Sequence, residues 1–164
     1  KTTVQMGSGY RGDLWLARSG KGKIVNVTPA DYRYFAIKVG FKSQLVPGKN
    51  KPNGCIKLEI FDDGIKKIGP EYFGTGGDAN NRYELLGASE ISTTEPNVLY
   101  YDLQSKYKTV TPTDWNQVFD LVQCKFVIAD FPETAQTYDL YWIRSFKSIE
   151  ELQAFVDSEN NTNE

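Results

Sequence analysis

The chain has 164 residues, a net charge of −2 and a pI near 5.3, with 40% hydrophobic and 13% aromatic residues. That length favours one domain and buries enough surface to fold without a disulfide scaffold or a structural metal. Lys and Arg do not gather into the basic stripe that phosphate neutralisation needs, so nucleic acid is not an expected partner. No apolar run reaches the roughly 18 residues of a transmembrane segment.

There is no histidine. Its absence removes the commonest general base, the commonest metal ligand and every Ser-His or Cys-His nucleophile, which argues against an enzyme. Cys55 and Cys124 sit inside apolar runs and read either as small buried core residues or as one bridge between paired strands. They form no close pair, so zinc is not expected. The chain opens on Lys1, as a mature or excised fragment does, and the lack of a signal peptide then says nothing about secretion.

In chain order, the first predicted strand is 13–18, closed by Ser19-Gly20-Lys21-Gly22, and the second runs through Ile24, Val25 and Val27 to Pro29. Together they read as a hairpin. Tyr34 to Phe41 sets Phe35, Ile37, Val39 and Phe41 on one face and Tyr34, Ala36, Lys38 and Gly40 on the other, the period of a strand with one buried side. Residues 55–61 alternate Ile56, Leu58 and Ile60 against Lys57 and Glu59, and Asp62-Asp63-Gly64 turns the chain. Further strands are expected at 83–91, 98–103, 118–124, 125–130 and 137–146. Between them, 69–81 is a long Gly-rich loop, of the kind that is usually functional or mobile.

Only the end reads as a helix. Ser148 at the N-cap and Glu151 three residues on form a capping box, followed by the apolar stripe Ile149, Leu152, Phe155 and Val156. About eight or nine strands with closely spaced turns predict an all-β, two-sheet antiparallel β-sandwich of jelly-roll type with one C-terminal helix. The expected layout is a single domain over 1–164, with its core at about 10–147, the helix at 148–158 and a disordered tail at 159–164.

Tyr34-Phe-Ala-Ile-Lys-Val39 and Tyr141-Trp-Ile-Arg-Ser-Phe-Lys-Ser-Ile-Glu-Glu151, with Asp114-Trp115 and Phe126 to Asp130 between them, resemble an uncharacterised domain family of cell-surface polysaccharide-utilisation proteins in Bacteroides-type bacteria. That family is similar in turn to the galactose-binding-like β-sandwich of many carbohydrate-binding modules. The resemblance spans about 13–156 and implies the fold, with a sugar ligand and a surface or extracellular setting only by association. Calcium is common in this fold, so the resemblance admits a Ca2+ ion, although no ligand set can be placed. The last strand of the family commonly carries Asp where this chain has Tyr141, so no contact or calcium ligand made by that carboxylate carries over.

Sugar rings stack their C–H faces on flat aromatics while their hydroxyls need fixed polar partners. Trp15, near Asp13 and Arg18, is either such a platform or part of hairpin packing. Trp115, beside Asn116 and Gln117, is either a platform or a strand-edge residue closing the core. Trp142 is expected to pack structurally. In the long loop, Tyr72, Asp78, Asn80 and Asn81 are candidates for sugar contact or cation binding, although Asp and Asn favour turns on backbone grounds alone, and the spacing lacks the closing Glu of a calcium loop. The carboxylate pairs Asp62-Asp63 and Glu150-Glu151 fit a turn and a helix start, not a glycosidase cleft.

The expectation is therefore a non-catalytic glycan-binding module of a secreted or cell-surface protein, part of a larger assembly. The candidate ligand contacts are Trp15, Arg18, Tyr72, Asp78, Asn80, Asn81, Trp115 and Asn116. The rival is a structural or protein-interaction domain whose aromatics are core.

Overall fold

The computed structural model describes residues 1–6, 12–17, 25–28, 30–43, 56–62, 87, 91–104, 119–128 and 136–161. Among these, the strands are β1 (Thr2–Gln5), β2 (Gly12–Ala17), β3 (Val25–Val27), β4 (Tyr34–Phe41), β5 (Ile56–Asp62), β6 (Asn97–Asp102), β7 (Phe119–Ile128) and β8 (Thr137–Phe146), followed by the helix α1 (Ile149–Asn161). The strands make two antiparallel sheets. One has the order β1-β8-β4-β6, and the other is organised around β7, which pairs with β2, β3 and β5.

The period-2 pattern of β4 dictates the core. Phe35, Ile37, Val39 and Phe41 are buried on its inner face, and the register brings Tyr101 and Leu99 of β6 and Ile143 of β8 alongside them. Phe126 of β7 meets this face from the other sheet, its ring centroid 5.4 Å from Phe35 and 6.3 Å from Tyr101. Burying a ring of this size contributes about 1.5–3 kcal/mol, so these contacts hold the sheets face to face.

The outer face of β4 carries Tyr34, Ala36, Lys38 and Gly40, and α1 covers only part of it. Leu152 is buried with Ala36 and Phe146, flanked by Tyr34, Tyr100, Trp142, Phe155 and Val156. Trp142 packs at 5.4 Å from Phe155 and 5.9 Å from Phe146, in the structural role expected of it. The corner of β4 and β6 is braced by a two-pronged ion pair, Arg33 Nε and Nη2 donating to Asp102 Oδ1 and Oδ2 at 2.8 and 2.7 Å.

Several expectations need correction. Residues 13–18 and 24–27 do not form a hairpin: β2 lies along Cys124 to Ile128 and β3 along Phe119 to Leu121 of the same strand, β7. Because β5 pairs with Ile128 through Leu121 on the other edge, β2 and β3 run in one direction and in one line. The two strands expected at 118–124 and 125–130 are one, since no turn-forming residue interrupts Gln123-Cys124-Lys125. Cys124 stands opposite Ile60 and Ala17 in the ladders; Cys55 lies outside the described residues. In the strand expected at 83–91, Gly87 sits instead in a bend with φ of 100°, and Ile91 belongs to no strand. A side chain at Gly87 would be strained by that φ and would collide with the Val98 carbonyl. β1 was not foreseen, because Thr2-Thr-Val-Gln5 holds one apolar residue and is an edge strand.

The helix extends past 158 to Asn161, so the tail expected to be disordered from 159 is in part helical and anchored. Its start follows the capping chemistry with one change. Ser148 Oγ accepts from Glu151 N at 3.2 Å, but the Glu151 carboxylate accepts from Lys147 N at 2.6 Å, one residue before the cap. No helix among the described residues is long and apolar enough to cross a membrane.

Candidate ligand-binding site

A bulge on β8 creates the site. The register pairs Lys38 with Trp142 and Val39 with Leu140, leaving Tyr141 as the extra residue. Two consecutive aromatic side chains thereby serve the same outer face. Trp142 goes to the helix. Tyr141 lies over Gly40, its Cε2 3.4 Å from where a Cβ at Gly40 would stand, so the ring packs close against the glycine. The ammonium groups of Lys38 and Lys1 stand 5.4 and 5.8 Å from the ring centroid.

Beside Tyr141 a cavity of about 180 Å3 opens, lined by Gly40, Phe41, Lys42, Asp139 and the segment Thr93 to Pro96. That segment is held from below by Asn97, a polar residue only 5% exposed. Its Oδ1 accepts from Ser92 N at 2.8 Å, while its Nδ2 donates to Ser92 O at 2.9 Å and to Val39 O at 3.3 Å. Ser92 Oγ in turn accepts from Thr94 N and Glu95 N at 3.3 and 3.0 Å. Buried polar side chains are costly unless bonded, and this one fixes the loop against β4. The threonine and glutamate wall is thus preformed.

The opposite wall is Asp139. Its Oδ1 accepts from Thr3 Oγ1 at 2.7 Å and its Oδ2 lies 3.1 Å from Lys1 Nζ. These two hydrogen bonds, helped by the charges of Lys1 and Lys42 and opposed by burial, hold its pKa below the ordinary aspartate value. It is therefore ionised at neutral pH and a pure acceptor. A carboxylate offers about four lone-pair positions, so it retains capacity for a ligand hydroxyl. Chemically the cavity combines one aromatic ring, a fixed acceptor, two threonines, a glutamate and a lysine. That suits a small polyhydroxylated molecule with an apolar face.

Of the predicted ligand residues only Trp15 lies within the described part; Arg18, Tyr72, Asp78, Asn80, Asn81, Trp115 and Asn116 lie outside it. Trp15 is 38% exposed on the outer face of the second sheet. Its cross-strand partner Lys125 sets an ammonium 4.5 Å from the ring centroid and bonds Asp13 Oδ2 at 2.8 Å. Asp13 and Trp15 do come together, through a lysine that stands over the indole as Lys1 and Lys38 stand over Tyr141. A second cavity, of about 550 Å3, is lined among the described residues by Leu16, Phe35, Ile143, Arg144 and Ser145. It draws on facing residues of both sheets and offers fewer converging polar groups. Among the described residues no three His, Cys, Asp or Glu side chains gather as a cation site, and the loop considered for calcium, 69–81, is outside them.

Sequence reasoning missed the Tyr141 cavity. Tyr141-Trp142 breaks strict alternation, which is the only sign of the bulge, and Ser92-Thr-Thr-Glu-Pro96 reads as an ordinary turn.

Fold and site together define a two-sheet β-domain with a small, rigid polar pocket on the outer face of one sheet. The chain belongs to the family described as Domain of unknown function (DUF4979), whose model matches residues 1–152 and so takes in the eight described strands and the pocket. No curated protein and no solved structure matches the chain.

Proposed function

We propose that this is a non-catalytic carbohydrate-binding module of a secreted or cell-surface protein, with a jelly-roll, galactose-binding-like topology, that holds a glycan in the pocket beside Tyr141. The observation that carries this reading is the placement of an aromatic ring, an ionised acceptor and hydroxyl side chains around one preformed cavity. The ring supplies a face for sugar C–H groups, Asp139 accepts from a hydroxyl pair, and Thr93 and Thr94 give or take further hydrogen bonds. The likeness of 34–39 and 141–151 to domains of polysaccharide-utilisation proteins supports the same class. Trp15 is a second, separate contact on the opposite sheet. Affinity at one such pocket is modest, and neighbouring modules raise it by avidity.

The rival reading, a structural or protein-interaction domain, draws on Trp142, which is spent on helix packing, and on the lysine ammonium groups set over Trp15 and Tyr141. Affinity gels loaded with plant, algal and host polysaccharides separate the two. The glycan reading predicts retardation on at least one gel, weakened more than tenfold by Tyr141→Ala, a loss of about 1.4 kcal/mol or more. Free migration on every gel favours the rival.

A further inference from the structure

Resting on the glycan reading, we infer that the pocket takes a single sugar ring, at a chain end or branch tip, and does not bind along a chain. Three features lead there. The first is size: about 180 Å3 is well below the roughly 300–1,000 Å3 of sites that enclose drug-sized ligands, and holds one ring but not a row.

The second is the missing continuation of the platform. A chain lying along β8 would need further open aromatic faces beyond Tyr141. The next ones, Trp142 and Phe146, are under α1, packed on Phe155 at 5.4 and 5.7 Å. The last turns of the helix stand beside the platform. Glu159 accepts from Trp142 Nε1 at 3.0 Å and from Lys38 Nζ at 2.8 Å, and that same Lys38 ammonium lies 5.4 Å from the Tyr141 ring. The helix end is pinned as a wall. The third feature is the loop wall, Thr93 to Pro96, which Asn97 holds in place across the cavity from Asp139. With the cavity lined by that loop and Asp139, and the next aromatic faces along β8 covered by the helix, one terminal ring is seated and the rest of the saccharide leads away from it.

Competition on the intact 164-residue chain tests this. Galactan, xylan and mannan are immobilised, and each is challenged with the two methyl glycosides of its own monosaccharide and with its tetrasaccharide. The inference predicts that one methyl glycoside competes within tenfold of the tetrasaccharide. It predicts also that Thr93→Trp, which fills the pocket from an exposed loop position, abolishes retention without changing the melting temperature. A tetrasaccharide preferred by more than tenfold over both methyl glycosides, or retention surviving Thr93→Trp, overturns single-ring binding and leaves the glycan reading standing. Absence of retention on galactan, xylan and mannan overturns the inference, and when it extends to every other polysaccharide it removes the glycan reading too.

Discussion

Asn97 is the residue on which the pocket depends. It lies on the inner face of β6, opposite Val39, where an apolar side chain would pack equally well, yet its amide replaces backbone partners for Ser92 and Val39. Truncation strands the Ser92 N–H and both carbonyls, and a buried group left without its partner costs about 1–3 kcal/mol. Asn97→Ala should therefore lower the unfolding free energy by that amount, read as a lower urea midpoint at unchanged slope, and should weaken glycan retention through the loosened loop. An unchanged midpoint would show that water replaces the amide without loss. Neighbouring Tyr141 shows how one residue escapes a sequence reading: it was registered as the loss of a family carboxylate, whereas the bulge makes it the base of a cavity. The break in alternation at Tyr141-Trp142 is its only local sign, because its cause is the register between β4 and β8.

At the scale of elements, α1 is held by more than its apolar stripe. The stripe Leu152, Phe155 and Val156 was legible from helical spacing, and so was the Ser148 cap. The polar pin at the other end was not, because Glu159 is one acidic residue in a polar run until the fold brings Trp142 and Lys38 to it. Burial pushes the Glu159 carboxyl up, but hydrogen bonds from Lys38 and Trp142 and the charges of Lys38 and Arg144 outweigh that and leave it below the ordinary value of 4.5. A depressed folded value means that its stabilising contribution is complete above about pH 4.5 and fades as pH falls through the folded value. The difference in melting temperature between the parent and Glu159→Gln should be largest near pH 7 and shrink on approach to about pH 3. A difference that stays constant with pH would mean that the carboxylate charge contributes nothing to docking the helix.

Across the whole molecule, periodicity was the reliable guide. β4 and β6 were readable because every second residue of each is buried, although the helix also buries Ala36 on the other face of β4, and Phe35, Ile37, Val39 and Phe41 stood out as core before any topology was known. Pairing was not readable. β2 and β3 look like a hairpin because a Gly-rich segment separates them, yet both align with β7, whose long-range partners no local pattern reveals. For the same reason the surface that faces solvent could not be told from the surface under the helix, and Trp15 drew attention that the outer face of the first sheet warranted more.

The claim that most needs a direct measurement is that saccharide enters the cavity beside Tyr141. Backbone amide NMR of the chain, titrated with whichever glycan the gels retain, answers it. The predicted result is saturable shifts concentrated at Gly40, Lys42, Thr93, Thr94, Glu95 and Asp139, absent in Tyr141→Ala. Saturable shifts confined to other surfaces, such as the strand around Trp15, with the loop before Asn97 unmoved, would contradict it.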